Sequence, residues 1–224
     1  GLRVKGATVR VVGGRIAEQL GTSLSAGSGV VASGGAVVTL DNVTVEDNQN
    51  VGVLIDGAKT RATLASCHVM RNQGRGLWVQ GQTADAGEVT VDVTGGEFVS
   101  NALVGIGARD TVGLRINGAA VKSTSMVRVP IDISRSEEVG DGVGLFAGAT
   151  AVTLQNVTLE NNARAQLLAD EVGANVTVAS TTATGGQFRA VVQRSVNVVE
   201  VDSTLVDDAG VSLFVKASAI GLSP

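Results

Sequence analysis

Short alternations of apolar and polar residues recur along the chain, each broken after a few positions by glycine or asparagine. Val152-Thr153-Leu154 and Val157-Thr158-Leu159 alternate with the period of a strand. Distant stretches keep the same step. Leu40 is followed by Val45, Asn48, Gly52 and Val53; Leu64 by Val69, Asn72, Gly76 and Leu77; Val93 by Phe98, Asn101, Gly105 and Ile106. An apolar anchor therefore predicts an apolar residue at +5, Asn at +8, Gly at +12 and an apolar residue at +13. Leu154 opens a fourth copy with Leu159 and Asn162. Weaker copies start at Val11 (then Ile16 and Leu24), Ile116 (Val121 and Val129), Val178 (Val191) and Val201 (Val206 and Phe214). The eight anchors lie about 27 residues apart on average, with gaps from 23 to 38. A constant frame with variable spacing predicts a solenoid whose core columns persist while its loops differ.

Strand, turn, strand, turn, strand in about 24 residues predicts one coil of a parallel β-helix, and eight such coils would rise roughly 38 Å. No segment carries a long helical stripe, and Arg15 to Leu20 fits the repeat by alignment with Glu97 to Ala102. The inward columns would be Leu40 over Leu64 over Val93, and Val45 over Val69 over Phe98. Trp78, at +14, is expected to face outward, above Leu54, with Leu168 and Val192 in equivalent places further along. Such an apolar stripe would serve as a sugar-stacking platform or a protein contact, or lie under a covering segment.

The stretches VTLDNVTVEDNQNVGVLI and AVTLQNVTLENNARAQLLA resemble the right-handed parallel β-helix repeats of the pectin-lyase-like superfamily. The resemblance covers nearly the whole chain. It implies an all-β fold, a right-handed single-stranded parallel β-helix of about eight coils, with residues 1–224 as one unit. It says little about activity, because polysaccharide lyases, glycoside hydrolases, epimerases, phage tailspikes and adhesins share the fold. The Ala-, Gly- and Val-rich style resembles extracellular bacterial solenoids, which implies an extracellular or cell-surface location. Gly1 to Val11 aligns with Gly144 to Leu154, so the chain is expected to open mid-coil. Neither end supplies a polar cap, which predicts a segment of a longer chain, with the flanking parts among its partners.

Composition narrows the functions. Hydrophobic residues make up 44% of the chain but aromatics only 2%, so the apolar mass is aliphatic and suits strands. The net charge of −4 and a pI near 5.0 exclude a strongly basic nucleic-acid binder. A single cysteine, Cys67, excludes an internal disulfide framework, and a single histidine, His68, excludes a multi-histidine metal site. No apolar run is long enough to span a bilayer, so no membrane insertion of this segment is expected.

Four groups of residues remain as candidate chemistry. Asn48, Asn72, Asn101 and Asn162 would form either a line of amides for sugar hydroxyls or an internal ladder at a turn of left-handed geometry; the one-per-coil spacing favours the ladder. Cys67 and His68 point to opposite faces of a strand and cannot pair. His68 is expected outside, between Thr44 and Glu97. Glu46-Asp47 and the acidic turn residues near it suggest calcium, but Met70-Arg71 breaks the column, so a solvated turn is the better reading, with no cofactor expected. The longest copy, between Ile116 and Leu154, carries excess length assigned to 131–143, a loop with Arg128, Asp132, Arg135, Glu137, Glu138 and Asp141 in or beside it. These residues and Trp78 are the ligand-binding candidates. The sequence favours a non-catalytic structural or adhesive module for a polysaccharide or surface protein. The alternative is a lyase or hydrolase of acidic polysaccharide with its site at the long loop.

Overall fold

The strands of the repeat share an apolar inward face, so the chain must curl to bury that face, and stacking coil on coil satisfies the backbone groups of every strand. The computed structural model describes residues 1–21, 26–81, 87–110, 112–130, 136–172, 174–193, 198–201 and 213–216. Among these, parallel strands form three sheets that run the length of a right-handed β-helix. One coil consists of Val53–Asp56 in the first sheet, Arg61–Ala65 in the second and His68–Met70 in the third. The first sheet has nine strands, the second eight and the third seven, each pairing with its counterpart one coil away.

The interior columns follow the frame. Leu40 pairs with Leu64 and Leu64 with Val93; Val45 pairs with Val69 and Val69 with Phe98; Val53 pairs with Leu77 and Leu77 with Ile106. All are buried in one continuous core.

The register corrects the frame where copies are irregular. The inward place assigned to Leu24 belongs to Val30, which pairs with Val53; Leu24 itself lies outside the described residues. The place assigned to Val129 belongs to Val143, opposite Ile106. Leu167 pairs with Ala190, so Val191 shifts by one into the outward column with Leu168, where Val192 was expected. Val191 in turn pairs with Phe214, and Val178 with Glu200 instead of Val201. Leu2 pairs with Val30, and Val31 reaches Gly144 through the column Leu54, Trp78 and Gly107. Gly144 is thus the counterpart of Arg3, and Gly1 that of Gly142.

Asparagine and glycine interlock at the turn from the third sheet to the first. Asn72 is buried; its Oδ1 accepts from Asn48 N at 3.1 Å and Asn48 Nδ2 at 2.8 Å, and its Nδ2 donates to Asn101 Oδ1 at 2.8 Å. Asn101 Nδ2 donates to Val69 O at 2.8 Å and Asn162 Nδ2 to Val121 O at 3.0 Å. Gln19 and Thr124 occupy the same position in their coils and donate their backbone N–H to Asn48 Oδ1 and Asn162 Oδ1. The turn has the left-handed geometry expected, and the left-handed residue is the one before each asparagine: Asp47, Arg71, Ser100 and Asn161 all have φ near +54°. The +12 glycine makes room for the amide, since a Cβ on Gly52 would sit 2.7 Å from both Asn72 Nδ2 and Val69 Cγ1.

Candidate functional site

The excess length of the longest copy forms a hairpin. Val127–Pro130 and Ser136–Val139 pair antiparallel, Val127 opposite Val139 and Arg128 opposite Glu138. The expected boundary of 131–143 therefore moves. The hairpin begins earlier, and Asp141–Phe146 is a strand of the first sheet. Asp132 and Arg135 lie outside the described residues.

Directly opposite residues of an antiparallel pair share a face. Val129 and Val139, on one face of the hairpin, line a cleft against the outer side of the first sheet. Arg128, Pro130 and Glu138 are exposed on the other face, and Arg128 Nε donates to Ser136 Oγ. Glu137 and Asp141 tie the hairpin base down. Arg164 Nη1 donates to Glu137 Oε1 at 2.8 Å, and its Nε and Nη2 reach Asp141 Oδ1 and Oδ2 at 2.8 and 2.5 Å. Asp141 has no solvent exposure, and burial pushes its carboxyl above the usual range, opposed by the Arg164 guanidinium.

The cleft encloses about 330 Å³, with Arg75, Trp78, Leu103, Val104, Arg109 and Phe146 on the sheet side. Trp78 faces outward in register, over Leu54, but is only 6% exposed, which corrects the expectation of an open stacking platform. Arg75 lies over its ring at 4.2 Å, a cation–π contact worth about 0.5–2 kcal/mol, and the Phe146 ring lies tilted at 47° to it with centroids 5.8 Å apart. The indole N–H is satisfied by Gln80 Oε1 at 2.9 Å. Glycines create the space for these rings. Gly107 and Gly144 follow Trp78 in its column, and a Cβ on either would collide with the Trp78 or the Phe146 ring.

Arg75 is the cleft residue that sequence reasoning missed most completely. Its Nε is buried with no hydrogen-bond partner among the described residues. Burial, and then the nearby Arg109, draw its pKa below the ordinary arginine value. Arg109 forms an ion pair with Asp110 at 3.5 Å. Asp170 and Glu171 line the same cleft. The available signal was the pair of Gly-x-Gly stretches, Gly105-Ile106-Gly107 and Gly142-Val143-Gly144, one and two coils beyond Trp78.

The remaining candidates lie apart from the cleft. His68 pairs with Thr44 and Glu97, with Nδ1 3.6 Å from Glu97 Oε2 on the third sheet. Cys67 is buried, with Sγ 3.4 Å from Leu40 O, and burial pushes its thiol up, which opposes a nucleophilic role. Glu46 and Asp47 are held by arginines on both sides. Arg15 Nε meets Glu46, while Arg71 Nη2 lies 2.5 Å from Glu46 Oε2 and 2.9 Å from Asp47 Oδ2. The column-breaking Arg71 thus neutralises the acidic turn. Among the described residues no three Asp, Glu, His or Cys side chains converge as metal ligands.

A family model described as right handed beta helix region matches residues 1–121. No curated protein matches the chain. Among solved structures, it is similar to the crystal structure of pectate lyase Pel9A, at 13% identity and a TM-score of 0.37, with 96% of this chain and 70% of that one covered. It is also similar to the catalytic domain of a GH87 alpha-1,3-glucanase in complex with nigerose, at 12% identity and a TM-score of 0.33. That overlap covers 84% of this chain and 47% of the glucanase domain.

Proposed function

We propose that this chain, which belongs to the right-handed β-helix family, is a non-catalytic structural or adhesive module that receives its ligand in the cleft beneath the inserted hairpin. The observation that carries this reading is the lining of the cleft. Trp78, Phe146, Leu103, Val129 and Val139 offer apolar contact, and Arg75, Arg109, Asp170 and Glu171 offer charge of both signs, a set suited to holding a partner. The carboxylates at the hairpin base, Glu137 and Asp141, are bonded to Arg164. The partner class is a polysaccharide or a surface protein. An extracellular or cell-surface setting belongs to the proposal through the resemblance of the repeats alone. No cofactor is included, and calcium enters as a variable of the test.

The test is a turnover screen. The protein is incubated with acidic and neutral polysaccharides, with and without calcium, and new reducing ends and unsaturated uronates are measured. The expected result is no product across the panel. Product that vanishes when the hairpin is deleted would replace this reading with a lyase or hydrolase acting at the same cleft.

A further inference from the structure

We infer that the cleft binds a small organic acid, with its carboxylate on Arg75 and Arg109 and a compact apolar body against Phe146, Leu103, Val129 and Val139. The inference rests on the reading of this cleft as a ligand site and goes beyond it, because the acid is a small ligand additional to the polysaccharide or surface protein proposed above. Three observations carry it. First, Arg75 lines the cleft above the Trp78 ring, and its buried Nε has no acceptor among the described residues, while the aromatic face supplies attraction without a lone pair. The guanidinium edge that lines the cleft gains from a charged acceptor, and a carboxylate suits it. Second, Arg109 lines the same cleft and acts on Arg75 as a like charge, so a bound anion placed between the two arginines relieves that repulsion, although Arg109 also pairs with Asp110, and Asp170 and Glu171 line the cleft. Third, about 330 Å³ is the low end of small-molecule sites. It holds one ring and its acid group, and the hairpin wall formed by Val129 and Val139 restricts a longer chain.

Trp78 is the only tryptophan of the chain and lies under Arg75, so its emission reports on the site directly. The whole chain is titrated with cyclohexanecarboxylate, its methyl ester and inorganic phosphate. The acid is expected to give a saturable change in Trp78 emission, and the ester and phosphate to bind about tenfold more weakly or worse. Arg75→Gln is expected to weaken acid binding about tenfold, and Arg109→Gln, which leaves the Trp78 contact in place, to weaken it several-fold. Circular dichroism establishes that both variants are folded. Equal affinity for acid and ester, equal affinity for acid and phosphate, or no saturable response to the acid would each overturn the inference. The two claims fail separately: polysaccharide turnover would remove the non-catalytic reading and leave acid binding intact, whereas absence of acid binding would leave the module reading intact.

Discussion

Asn72 and Gly52 act as a pair, although they belong to different coils. The amide of Asn72 bonds to asparagines on both sides and needs the space above Gly52 that a Cβ would fill. Removing the amide leaves several buried backbone and side-chain groups without partners, so Asn72→Ala is expected to cost about 3 kcal/mol in urea unfolding. Gly52→Ala is expected to destabilise at least as much, by steric overlap with that amide; a neutral effect of either change would contradict the ladder. Both residues were legible in the sequence because one close approach fixes the spacing of the two. The left-handed turn residues before the asparagines were not. Asp47, Arg71, Ser100 and Asn161 share a backbone conformation and no side-chain chemistry, so no residue type marks the position. Arg75 itself was illegible for a similar reason, since the Gly-x-Gly stretches signal only the space for the Trp78 and Phe146 rings. Its role depends on a ring three residues on and on Arg109 in the next coil, which sequence spacing alone does not bring together.

At the scale of elements, the strands and the existence of an insertion were readable, but the placement of the insertion was not. Val127-Arg128-Val129 alternates like any repeat strand, and Val129 falls at the +13 spacing from Ile116. The frame therefore absorbed half of the hairpin and assigned Asp141–Val143 to a loop. What sets the boundary is Asp141, whose buried carboxylate is fixed by Arg164 from the next coil. Arg164→Met leaves that carboxylate buried and unpaired, and is expected to destabilise the protein by about 3–5 kcal/mol in chemical denaturation. A change below 1 kcal/mol, on the order of a surface ion pair, would show that Asp141 is solvated. The sheet does not need the hairpin, since Val104 to Arg109 pairs directly with Asp141 to Phe146 across it. Replacing 127–139 by a short turn is expected to leave the far-ultraviolet dichroism unchanged.

The whole molecule is a stack of apolar columns, and its cooperativity follows from them. Val69 and Phe98 are neighbours in one column and fully enclosed, so Val69→Asp or Phe98→Asp places an unpaired charge in the continuous core. Each is expected to unfold the stack, and a normal thermal transition in both would reject the register. Acid also acts on the whole stack. Arg15 first, then Arg71, hold the Glu46 carboxyl below its ordinary value of 4.5, and Arg71 holds Asp47 below 3.8. The folded state thus binds these protons less readily than the unfolded chain does. The stability they contribute is present above the unfolded values and is lost as pH falls through the lower folded ones. Asp141 has the opposite sign, because burial raises its value; its contribution is present at low pH and is lost as pH rises through the folded value. The unfolding midpoint is expected to fall between about pH 5 and pH 3, and Glu46→Gln to shrink that fall, whereas an unchanged slope would remove the arginine clamp from the account.

Fold and proposed function meet where the hairpin and the ring of Trp78 line the same cleft. Acrylamide quenching of Trp78 emission, compared between the intact chain and the variant with 127–139 replaced by a short turn, tests that junction most directly. Weak quenching is expected in the intact protein and a clear rise, with a red-shifted emission, once the hairpin is gone. Equal quenching in the two folded proteins would contradict this, since the hairpin would then not enclose the site.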